Sequence, residues 1–133
     1  MKDIVWSRVL SVGVDEIDED HRRLVDLFNL LNHAVSEGES LDYLAAILEE
    51  LISCTVWHFS HEERLMLKYR YGETAEHKTE HHALIESART LQQKILEAGN
   101  RVADEDLAFL EHWLAEHILT SDMRLGSHLS QSV

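Results

Sequence analysis

The chain has 133 residues, 44% apolar and 28% charged, which suits one soluble domain with one core and excludes a disordered chain. A net charge of −13 argues against nucleic acid and against an anionic membrane surface, since both are bound through basic faces. There is one cysteine, no proline and only five glycines, so no internal disulfide can form and little interrupts long helices.

Residues 1–17 read as an irregular arm. The segment SVGVDEID has mixed β-branched residues and no helical period, and nothing at the N-terminus resembles a signal peptide. Asp18 is the expected N-cap of a first helix, with acids Glu19 and Asp20 in its first turn. Leu24, Leu27, Phe28, Leu31 and Val35 then recur at three and four spacing to about residue 37, and Gly38 stops the helix. Ser40 caps a second helix over 41–70, with the stripe Leu44, Leu48, Leu51, Thr55, His58, Glu62, Leu65. A third helix over 73–98 follows Gly72. Its stripe is His77, His81, Leu84, Ala88, Leu91, Ile95, and Gly99 stands where a C′ glycine belongs. Asp104 is the expected cap of a fourth helix, over 104–123 or beyond, with Leu107, Leu110, Leu114, His117, Ile118 and Leu125 on one side. Four such helices with short connections predict an all-α, up-down-up-down antiparallel four-helix bundle as a single domain over 1–133. No stretch is long and apolar enough to span a bilayer, and a cytoplasmic protein is expected.

Ten histidines are an unusual count, and their positions are organised. Residues four apart on a helix differ by about 40°, so His58 and Glu62 share a face, as do His77 and His81. In both cases the face is the apolar one. His21 continues the Leu24–Phe28–Leu31 stripe backward by one turn. A lone histidine on an apolar face is usually a satisfied core residue. Five of them with carboxylates, on all four helices, would leave many polar groups stranded unless something coordinates them. His117 and Asp122 are the awkward pair, because five residues on a regular helix lie about 140° apart. They flank the apolar stripe, and they converge only if the helix lies close or is locally distorted. In an antiparallel bundle all seven residues fall at one end.

Five imidazoles and two carboxylates are too many for one tetrahedral zinc, and imidazole-rich N/O ligation suits iron, copper, nickel or zinc. Two octahedral ions offer twelve positions. Two bridging carboxylates, five imidazoles and one bridging oxygen fill eleven, which leaves one open for a small molecule.

The motifs VGVDEIDEDH, HFSHEERLM, HKTEH and WLAEHILTSD resemble those of the hemerythrins, bacteriohemerythrins above all, over nearly the whole chain. The resemblance implies two non-heme iron ions joined by an oxo or hydroxo bridge. It implies that His77, His81 and His117 hold the filled iron and that His21 and His58 hold the open one, with Glu62 and Asp122 bridging. It further implies reversible O2 binding beside Leu114 and Ile118, for storage, delivery or sensing. A di-iron oxidase or a peroxide- or NO-reducing enzyme, and a sensory module acting on a signalling partner, are the alternatives. A monomer is expected. His61 and Glu63 lie off the stripe and read as solvated, Cys54 as a small buried filler, Met66 as core, and Trp6 and Trp113 as packing. His33, His82, His112 and His128 have no partner in phase.

Overall fold

The computed structural model describes residues 3–97 and 102–132. Helices α1 (Asp15–Ser36), α2 (Leu41–Lys68), α3 (Thr74–Glu97) and α4 (Asp104–His117) are followed by a π turn, Ile118–Asp122, and by α5 (Met123–Ser132). α4, the π turn and α5 run on without a break, so the architecture is a four-helix bundle whose fourth rod is interrupted once. α2 packs on α1 and α3, and α4 packs on α1 and α3, which closes the square. Among the described residues no helix is long and apolar enough to cross a membrane.

The periodic stripes are the core. Leu24, Phe28, Leu31, Leu48, Leu51, Ile52, Met66, Leu107, Leu110 and Leu125 are all buried, each worth about 1.5–3 kcal/mol relative to exposure. Val35 and Leu84 are half-buried at the edges of this core.

The helix ends depart from the sequence expectations in instructive ways. α1 begins at Asp15, after Val14, so Asp18 is not its N-cap. Asp18 is instead buried and turns back onto the arm, accepting from the Val12 N–H at 2.8 Å and from Ser11 Oγ at 2.5 Å. A short acid at the start of a helix can serve either its own first turn or the preceding chain, and here the chain crossing over it supplies the donors. The arm therefore spans residues 3–14 and contains one 3-10 turn, Arg8–Leu10. It is further pinned along α1 by the reciprocal pair of Ile4 and Asn29 and by Trp6 lying under the Arg22 guanidinium at 5.1 Å.

Ser40 caps α2 as expected, accepting from the Tyr43 N–H. At α4 the N-cap is Ala103, which has no polar side chain, and the Asp106 carboxylate accepts the Ala103 N–H at 3.0 Å instead; Asp104 is the first helical residue rather than the cap. α1 ends on Gly38 at φ 70, with Glu39 N–H bonded to Ala34 O and Gly38 N–H to Val35 O. α2 ends with the same hydrogen-bond pattern, but the left-handed residue is Arg70, at φ 53, and not Gly72. The expected C′ glycine of α3, Gly99, lies outside the described residues, as does residue 98 of the expected helix.

Gly126 marks a close approach. A Cβ there would sit 2.1 Å from Val12 O and 2.8 Å from Val12 Cβ, both on the arm segment that Asp18 holds in place. Gly126→Ala is expected to displace the arm and to cost about 2 kcal/mol, as overpacked sites do. Urea unfolding checks this, and an unchanged midpoint would show that the arm does not bear on α5.

Candidate metal centre

The seven singled-out residues converge at one end of the bundle. His21 comes from the first turns of α1, and His58 and Glu62 from the last third of α2. His77 and His81 start α3, and His117 and Asp122 bracket the π turn. All seven are buried, Glu62 and Asp122 completely.

The π turn resolves the fourth helix. Its i→i+5 bonding, seen in the Met123 N–H to Ile118 O bond, places residues five apart on one face. His117 Nε2 consequently lies 3.0 Å from Asp122 Oδ1.

Two ligand groups result. Glu62, His77, His81, His117 and Asp122 form one, and His21, His58, Glu62 and Asp122 the other, each with donor atoms within 4.8 Å of one another. Both carboxylates belong to both groups, and they divide their oxygens between them. Glu62 Oε1 lies 3.0 Å from His81 Nε2 and 3.7 Å from His77 Nε2, while its Oε2 lies 3.4 Å from His58 Nε2 and 4.0 Å from His21 Nε2. Asp122 Oδ1 lies 3.1 Å from His77 Nε2, while its Oδ2 lies 2.9 Å from His21 Nε2.

His77 with Asp122 Oδ1 and His81 with Glu62 Oε1 are within hydrogen-bond reach, but the remaining separations fit an ion better than they fit hydrogen bonds. Neighbouring ligands of an octahedral ion at about 2.1 Å are about 3 Å apart. His21 Nε2 and Asp122 Oδ2 are that close, yet neither forms a hydrogen bond. His58 Nε2, Glu62 Oε2 and His117 Nε2 are likewise buried without hydrogen-bond partners. Stranding buried polar atoms costs about 1–3 kcal/mol each, and convergence on a cation removes that cost. The unpartnered atoms concentrate on the side of His21 and His58.

A second ring of carboxylates holds the imidazoles from behind. His58 Nδ1 donates to Asp20 at 2.9 Å, His81 Nδ1 to Glu63 at 3.0 Å and His117 Nδ1 to Glu80 at 2.7 Å. Each bond fixes the tautomer that leaves Nε2 free to face inward. None of the three is read from sequence as a histidine's partner (Glu63 reads as solvated and Asp20 as a first-turn acid), although a signal existed. Each is the sequence neighbour of a ligand (His21, Glu62 and His81), and each serves a histidine on the next helix. Glu63 is thus half-buried rather than solvated, and so is His61. His61 Nδ1 bonds to Asp20 at 2.7 Å, and its Nε2 lies 3.4 Å from Glu16. Cys54 is half-buried in a surface groove with Trp57. Phe59 is buried and stacked on His81 at 3.7 Å. Trp113 packs as expected and donates to Leu84 O. His33, His112 and His128 bond to Asp3, Glu116 and Tyr69 O, away from the centre, and His82 is exposed.

Without an ion, protons do part of its work. Burial opposes a charge on His58, but Glu62 and the Asp20 hydrogen bond outweigh it and raise the imidazole to about 10. Burial likewise opposes His77, and the hydrogen bonds it donates to Asp122 and Glu62 raise it to about 9. Glu62 and Asp122 are each pushed up by burial, yet the surrounding imidazoles win and hold both below the ordinary carboxylate range.

Residues 12–129 match the family described as the Hemerythrin HHE cation binding domain. The chain belongs to the hemerythrin family. Hemerythrins bind O2 at a di-iron centre, and the buried His/Glu/Asp cluster is able to hold the metal ions. A bacteriohemerythrin of Pseudomonas paraeruginosa is 34% identical over 122 residues, covering 92% of this chain and 78% of its own length. A hemerythrin-like protein of Naegleria gruberi is 31% identical over 119 residues, covering 90% and 87%. Among solved structures, a hemerythrin mutant aligns with a TM-score of 0.87 at 29% identity, over 98% of this chain and 99% of the other.

Because the folded-state pKa values of His58 and His77 are raised, their stabilising charge is fully present below about pH 6.5. It is lost as pH rises through about 9 for His77 and about 10 for His58. Metal-free protein is therefore expected to lose stability over that window, while metal-loaded protein, whose imidazoles are already deprotonated, keeps it. Denaturant midpoints of both forms at pH 6.5 and pH 10 check this. A metal-free form as stable at the higher pH would contradict it.

Proposed function

We propose that this hemerythrin reversibly binds O2 for storage or delivery rather than transforming it. In this reading His77, His81 and His117 hold one iron and His21 and His58 the other, with Glu62 and Asp122 bridging. The turning of each carboxylate's two oxygens toward opposite groups of imidazoles supports that assignment.

One observation carries the functional reading. Beside His21 and His58 lies a cavity with about 10 Å3 of space for the centre of a water-sized molecule, walled by Leu24, Phe59, Leu114 and Ile118. That is room for one very small molecule. When bound, the iron pair supplies the electrons that O2 accepts and returns.

The rest is done by the side chains around it. Leu114 and Ile118 present hydrocarbon where water would otherwise enter, and Phe59 closes the wall behind His81. Two polar side chains that are not candidate ligands touch the cavity, and the protons of both are committed elsewhere. Thr55 Oγ1 donates to Leu51 O at 2.7 Å, and Trp113 Nε1 donates to Leu84 O at 3.0 Å. Among the described residues lining the cavity, the titratable ones are all candidate ligands. The pocket thus offers no acid or base to carry O2 or peroxide further, which favours a carrier over an oxidase or a peroxide-reducing enzyme. A cytoplasmic, monomeric protein, with O2 as its partner and no nucleic acid or membrane, completes the reading; the net charge of −13 supports the exclusion of nucleic acid and of an anionic membrane surface.

Ile118→Asn tests the reading by placing an amide in the dry wall. O2 binding should still register in the absorption spectrum of the reduced, iron-loaded protein. Spontaneous oxidation of the centre should be faster by roughly tenfold, a lowering of the barrier of about 1.4 kcal/mol. An oxidation rate unchanged from the parent would remove the role given to the wall. A parent spectrum indifferent to O2 would remove the carrier reading itself.

A further inference from the structure

Glu80 lies in sequence between His77 and His81 of α3 and reaches across to the fourth rod. Its two oxygens have different partners: Oε1 accepts from His117 Nδ1 at 2.7 Å, and Oε2 accepts from the Ser121 hydroxyl at 2.6 Å. Those partners bracket the π turn. His117 is the residue before it and Ser121 the last but one within it. Asp20 also grips two side chains, His58 and His61, but both lie on the regular helix α2, where no irregular backbone needs fixing.

Rods with regular α-helical geometry would turn Asp122 about 140° away from His117. The extra residue of the π turn brings it round, and His117 Nε2 and Asp122 Oδ1 meet at 3.0 Å. π turns are rare and persist where surrounding structure enforces them. A carboxylate on a neighbouring helix that binds both ends of the turn is such an enforcement.

We propose that Glu80 is a positioning residue that sets the π turn, and through it the spacing at which His117 and Asp122 present their donor atoms. The proposal rests on the reading of those two residues as metal ligands. It distinguishes Glu80 from a simple hydrogen-bond partner of His117, because the grip on Ser121 is then part of its action.

The test uses the full chain and three variants, Glu80→Ala, Glu80→Gln and Ser121→Ala, with two readouts. The first is amide hydrogen exchange of residues 118–123 in the metal-free protein. The second is a titration with Co2+ followed by visible absorption. Glu80→Ala should speed exchange in the turn by about tenfold or more, the effect of losing charge-assisted bonds, and leave the amides of α1 and α2 unchanged. It should also weaken uptake of Co2+ by about 10–100-fold. Glu80→Gln keeps an oxygen for His117 and an amide for Ser121 Oγ, and should restore most of both. Ser121→Ala should reproduce part of the exchange effect while leaving the His117 bond intact. Parental exchange in the turn for Glu80→Ala, or for Ser121→Ala, would overturn the proposal. A parent that takes up fewer than two Co2+ would sink the ligand reading instead, while the exchange data on the metal-free chain would still decide the role of Glu80.

Discussion

Two fully buried carboxylates, Glu62 and Asp122, stand within a few ångströms of each other and share five imidazoles. Everything else at this end of the bundle answers the problem they create. Two anions in an apolar interior repel each other and are poorly solvated, so positive charge must be supplied. In the metal-free chain, protons on His58 and His77 supply it. In the hemerythrin family, iron does. The same residues satisfy both states because each carboxylate turns one oxygen toward the side of His77, His81 and His117 and the other toward the side of His21 and His58.

The scaffold is divided accordingly. Away from the site the helices interlock through apolar side chains, with polar links such as Arg89 and Gln92 to Glu49 and Lys94 to Asp106 at the rim. At the site, polar groups take over, and the outer carboxylates stitch the helices together in order. Asp20 of α1 holds His58 of α2, Glu63 of α2 holds His81 of α3, and Glu80 of α3 holds His117 of α4. Each helix thus fixes an imidazole of its successor. The cavity beside His21 and His58 combines the two regimes, with nitrogen donors on one side and hydrocarbon on the other.

Much of this was legible in the sequence. The four stripes and the burial of His21, His58, Glu62, His77 and His81 follow from spacing alone, because helical periodicity is set by backbone geometry. Asp122 was harder. A regular helix puts it out of phase with His117, and only the π turn, which no local residue pattern announces, brings it in. The roles of Asp18 and Arg70 escape the sequence pattern for a related reason. The partners of Asp18 lie on the crossing arm, and the left-handed position at the end of α2 falls on an arginine although a glycine stands two residues later. Tertiary contact decides such positions, and spacing does not report it. The helical phase of His61 and Glu63 is wrong for the core and points to solvent, yet His61 bonds to Asp20 and Glu63 to His81 at the rim of the site.

The most direct test of the account is a crystal structure of the iron-loaded protein with diffraction recorded on both sides of the iron absorption edge. Two iron sites per chain are expected, with Glu62 and Asp122 each contributing one oxygen to each. Three histidines, His77, His81 and His117, should lie on one ion, and His21 and His58 on the other. A single iron, or two ions with either carboxylate confined to one of them, would contradict it.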